Sequence, residues 1–74
     1  MGIQYKKLMK LLIDKEITKT ELRLKTGIGT ATLAKLSSND YVSLEVIEKI
    51  CEVLEVQPGD IMEYIPNTQT LESN

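Results

Sequence analysis

The chain of 74 residues has no histidine, tryptophan or phenylalanine, a single cysteine and only two prolines. Without His and with Cys51 alone, it cannot build a Cys/His zinc cluster, a Cys–His or Ser–His catalytic pair, or an internal disulfide. Catalysis is not expected, and neither is a cofactor, metal or small-molecule ligand. Long apolar runs are missing too. Leu8–Ile13 is broken by Lys10 and ended by Asp14, short of a signal-peptide core and far short of the roughly 18 residues of a membrane span. A myristoylation pattern fails because position 6 is Lys6. The default is a soluble cytoplasmic protein of one domain, since about 100–200 residues make one independent core.

What is present is ordinary for a globular chain: 42% apolar and 27% charged residues, with a net charge of −2. The near-neutral total conceals a division. Residues 1–36 carry eight basic and three acidic side chains, whereas residues 37–74 carry one basic and eight acidic. A basic half joined to an acidic half suggests a positive surface facing a polyanion; the plainer alternative is two solvated faces.

Periodicity supplies the elements. Tyr5, Leu8, Met9 and Leu12 recur at helical spacing and predict a first helix over about 4–16. Thr18 followed by Glu21 is a capping-box signature opening a second, and Gly27 ends it. Ile28, Leu33 and Leu36 mark a short third helix over about 30–37, capped by Gly29 or Thr30. A polar turn through Ser37–Asp40 leads to Ser43, the cap of a fourth helix over about 44–55. On its wheel the apolar Leu44, Val46, Ile47, Ile50, Cys51, Val53 and Leu54 are expected opposite the charged Glu45, Glu48, Lys49, Glu52 and Glu55. Pro58 opens a short fifth helix reaching Tyr64, which Pro66 closes. The expected architecture is all-α, five helices in a domain over residues 1–66, with 67–74 a flexible tail.

Two short helices joined by a glycine-containing turn, in a small helical domain with a basic N-terminal half, are how a helix-turn-helix looks in sequence. The run from Thr18 to Leu36 resembles the helix-turn-helix of the lambda Cro and repressor (XRE) family, in its compact bacterial or phage form. Ser43–Leu54 and Gln57–Ile61 resemble that family's fourth and fifth helices. The resemblance covers about residues 4–65. It implies a sequence-specific duplex-DNA-binding transcriptional regulator, a repressor, with the third helix in the major groove.

The resemblance places base contacts at Thr30, Ala31, Ala34 and Lys35. Small or hydrogen-bonding groups there let the helix axis approach base edges. Backbone contacts fall to Lys19, at the start of the second helix, and to Thr32, Ser38 and Asn39. Family members commonly pair through the chain end, which here puts Ile61, Met62, Tyr64 and Ile65 at a homodimer interface. Two departures stand out. Arg23 occupies a position that is commonly a small Ala, and Asp40 opposes phosphate, so affinity is expected to be modest. The rival reading is a protein-interaction module, antitoxin-like or an adaptor, whose acidic fourth helix binds a basic partner. Cys51, on the apolar face of that helix, is expected to be a buried small hydrophobe.

Overall fold

The computed structural model describes residues 2–66; the expected tail over 67–74 lies outside them. A strand, β1 (Gly2–Gln4), precedes four helices: α1 (Lys6–Asp14), α2 (Lys19–Thr26), α3 (Thr30–Ser37) and α4 (Leu44–Leu54). A single 3-10 turn at Pro58–Asp60 leads into a second strand, β2 (Glu63–Ile65).

The all-α, five-helix expectation is therefore corrected: the domain is mostly helical, with four α-helices among the described residues and a two-stranded antiparallel sheet. The segment after Pro58 does begin helically, with Gln57 N–H donating to Asp60 Oδ2 at 3.0 Å. Ile61 leaves the helical conformation at φ −121°, ψ −13°, and the chain extends so that Tyr64 pairs with Ile3 and Glu63 with Gln4. Backbone hydrogen bonds that a fifth helix would have made locally are made instead with β1. The first helix is also shorter than its apolar period suggests, because Tyr5 is its N-cap and the chain turns over at Glu16.

Each helix supplies a deeply buried side chain to one core. Leu8, Leu22, Leu36 and Ile50 come from α1 to α4 in order, and Ile61 follows the 3-10 turn; all five are completely buried. Burying a side chain of this size contributes about 1.5–3 kcal/mol, and Tyr5, Leu12, Ile28, Ile47 and Leu54, nearly as buried, add to the same core. α2 packs on both α3 and α4. No buried side-chain N or O atom lacks a hydrogen-bond partner among the described residues.

The helix ends follow one rule with different residues. After α1, α3 and α4 the chain turns through Glu16, Asn39 and Glu55, all left-handed at φ between 57° and 60°. The next N–H then reaches back five residues: Ile17 to Leu12, Asp40 to Lys35 and Val56 to Cys51, at 2.9–3.1 Å. This bond, of Schellman type, satisfies carbonyls that the helix itself leaves open. None of the helices among the described residues is long and apolar enough to cross a membrane.

Candidate nucleic-acid interface

The α2–α3 unit is built from local chemistry. At its start Thr18 Oγ1 accepts the N–H of Glu21 at 3.0 Å, while Glu21 Oε1 accepts the N–H of Thr18 at 2.9 Å. That backbone N–H, and then the hydroxyl, hold the Glu21 carboxyl below its ordinary pKa. α2 ends at Gly27, left-handed at φ 79°, whose N–H donates to the Arg23 carbonyl at 2.8 Å. Between Gly27 and Gly29 the buried side chain of Ile28 pins the turn into the core. Buried Thr26 secures it from behind: its hydroxyl donates to the Leu22 carbonyl at 2.7 Å and accepts the Ile28 N–H at 3.4 Å.

α3 then presents a mixed surface. Leu36 is fully buried and Leu33 and Thr32 are half-buried, whereas Thr30, Ala31, Ala34 and Lys35 are all exposed. At 100° per residue these four share an arc of about 140° opposite Leu36. The arc contains one cation, one hydroxyl and two methyl-sized side chains, so a duplex groove could approach the helix closely.

The side chains expected at the DNA backbone separate into two groups. Lys19 extends from the first turn of α2 until its ammonium donates to Ser37 Oγ at 3.3 Å, which ties it to the end of α3, beside exposed Ser38. Ser37 was not among the site residues read from sequence. Its link to Lys19 spans two helices, and no local spacing signals such a contact. Asn39, by contrast, turns to the fold: its Oδ1 accepts the Tyr5 N–H at 3.0 Å, leaving its amide group alone to donate outward. The Tyr5 hydroxyl donates to the Asp40 carbonyl at 2.8 Å, so one buried tyrosine holds the loop after α3 against the start of α1. Burial pushes its phenol pKa up.

Arg23 is half-buried. Of the residues expected at a dimer interface, Ile61 is completely buried in the chain's own core, which removes it from the surface offered to a second copy. Met62 and Ile65 are half-buried, and Tyr64 is 67% exposed. Cys51 is half-buried rather than enclosed, and burial raises its thiol pKa. No group of three or more potential metal-ligating side chains occurs among the described residues.

Comparison with known proteins agrees with this geometry. The chain is 47% identical to the transcriptional regulator VanUg, whose crystal structure superposes with a TM-score of 0.86 over 89% of this chain and 88% of that one. It is 37% identical over 62 residues to the uncharacterized HTH-type transcriptional regulator YozG of Bacillus subtilis (strain 168), covering 81% of this chain and 74% of that protein. Residues 7–67 match the Cro/C1-type HTH DNA-binding domain, a span that takes in the capped α2, the glycine turn and α3, and the chain belongs to that family.

Proposed function

We propose that this protein regulates transcription as a homodimeric repressor that occupies a near-palindromic operator. The observation that carries the reading is the α3 arc, where Thr30, Ala31, Ala34 and Lys35 stand exposed on a helix whose opposite side is locked by Leu36. Lys35 hydrogen-bonds guanine O6 or N7, and Ala31 or Thr30 meets a thymine methyl. Lys19, Thr32, Ser38 and the outward amide of Asn39 meet the sugar-phosphate strands and set the register without reading sequence. Tyr64, with Met62 and Ile65 beside it, packs against its counterpart in a second copy. A two-fold axis there places two α3 helices one DNA turn, roughly 34 Å, apart.

Binding to a panel of duplexes selected from a random pool tests the assignment. Lys35→Ala is expected to relax preference at one base pair per half-site by about 1–3 kcal/mol, while Lys19→Ala weakens every duplex alike. Equal losses for both variants on every duplex would remove Lys35 from the base edges. Sedimentation addresses the dimer: Tyr64→Asp should give a folded monomer with weaker operator binding, and a wild type that stays monomeric on DNA would overturn the two-fold arrangement.

A further inference from the structure

A concave surface lies off the helix-turn-helix. An open groove of about 610 Å³ runs along α4 and onto the segment that follows it, and none of its lining residues belongs to α2 or α3. Its apolar floor is Leu44, Ile47, Cys51, Val56 and Pro58. Leu44 is 78% exposed and carries the apolar lane of Ile47 and Cys51 past the edge of the core, where it stands open to a partner. Beside the floor runs an acidic margin of Glu48, Glu52 and Glu55, all exposed.

The two stripes have the same spacing. Leu44, Ile47 and Cys51 step by three and four residues, and Glu48, Glu52 and Glu55 by four and three. At about 1.5 Å per residue each stripe is about 10 Å long. An apolar lane next to an anionic lane, each over about two turns, fits a helix with aliphatic side chains at three-and-four spacing and cations along one flank.

We propose that this groove docks a cationic amphipathic helix of a partner protein while α3 remains free for DNA. A second copy of this chain fits it poorly. Face-to-face self-association would bring two sets of three carboxylates together, and no Lys or Arg lines the groove to offset them. The open shape also fails to enclose a small molecule. The assignment rests on the groove alone and is independent of the operator reading.

The test uses a labelled synthetic peptide of about 15 residues, with Leu at helical three-and-four spacing and Lys on one flank, against a scrambled peptide of identical composition. Fluorescence anisotropy should show the patterned peptide binding at least about tenfold more tightly than the scrambled one. Amide shift changes should fall at residues 44–58 and leave 30–37 unmoved. Two surface variants keep the fold, which melting verifies: Glu48→Gln with Glu52→Gln, and separately Leu44→Asp. Each should weaken the patterned peptide about tenfold or more while operator binding stays within about twofold. Equal affinity for the two peptides would reduce the effect to net charge and overturn the proposal. So would shift changes on α3 or the sheet, or a wild-type dimer that Leu44→Asp dissociates and Tyr64→Asp does not.

Discussion

Replacing Gly27 by alanine isolates the backbone cost of the helix-turn-helix turn. Gly27 sits at φ 79°, ψ 8°, and a Cβ built on it meets no atom within 4 Å, so sterics with the rest of the protein contribute nothing. An L-residue held left-handed costs about 1–2 kcal/mol, and the lost flexibility of glycine in the unfolded chain offsets about 0.4–1. Gly27→Ala should therefore destabilise by about 1 kcal/mol, lowering the melting temperature by about 4–8 °C for a domain this size. Gly29, two residues on, is the internal control: it is equally open but at φ −82°. There alanine gains the same unfolded-state entropy and loses some N-cap quality, so the change should stay within about 0.5 kcal/mol of zero. Chemical synthesis of the chain allows a sign inversion, since Gly27→D-Ala is at ease at positive φ and should melt above wild type. Thermal and urea unfolding followed by far-ultraviolet circular dichroism measure all three. Equal melting of Gly27→Ala and Gly29→Ala, or of the L- and D-alanine chains, would refute the argument.

The same reasoning run backwards predicts that Glu55→Gly stabilises: the left-handed residue ending α4, at φ 58°, is relieved, for a net gain approaching 1 kcal/mol in urea titrations. Thr18→Ala removes the acceptor for the Glu21 N–H and should cost about 1 kcal/mol by thermal melting. Because the folded Glu21 pKa is lowered, its contribution is complete above the unfolded carboxyl pKa and is lost as pH falls through the folded value. The acid limb of melting temperature against pH should accordingly flatten in Glu21→Gln. The Tyr5 phenol is raised, so stability is complete below the unfolded tyrosine pKa, near 10, and is lost as pH rises toward the folded value. Tyr5→Phe should lack that alkaline loss, visible as a missing high-pH transition in absorbance at the phenolate band.

Helices whose ends are written locally were legible. Thr18 with Glu21, Gly27, and Ser43, whose hydroxyl accepts the Val46 N–H at 3.3 Å, each act within a few residues. The sheet was not legible, because its strands are three residues long, too short to show alternation, and pair across almost the whole described chain. With no partner visible for Glu63–Ile65, Pro58 pointed to a helix. Helical period also misjudged depth at the ends: Leu44 and Ile13 lie on or beside apolar stripes, yet both are more than 70% exposed, since a wheel records direction and not whether anything stands there. The α3 arc followed from period and resemblance together, whereas the Lys19–Ser37 and Tyr5–Asn39 contacts depend on how helices far apart in sequence meet.

The pairing of Gly2–Gln4 with Glu63–Ile65 has a kinetic meaning. Closing a chain loop of that length costs upward of about 3 kcal/mol in entropy, more than two three-residue strands recover on their own. The ladder thus assembles only after the helices have carried its halves together, and it is the first element to be released when the domain breathes. Deuterium should enter the amides of Ile3 and Tyr64 well before those of Ile50 and Leu54. In that partly opened ensemble α2 and α3 keep their mutual angle, but Tyr64 loses the strand that fixes its direction. On the two-fold arrangement proposed above, mild heating would then uncouple the two halves of an operator-bound pair while each α3 helix stays intact, and affinity for a palindrome would fall toward that for a single half-site ahead of any loss of helical signal.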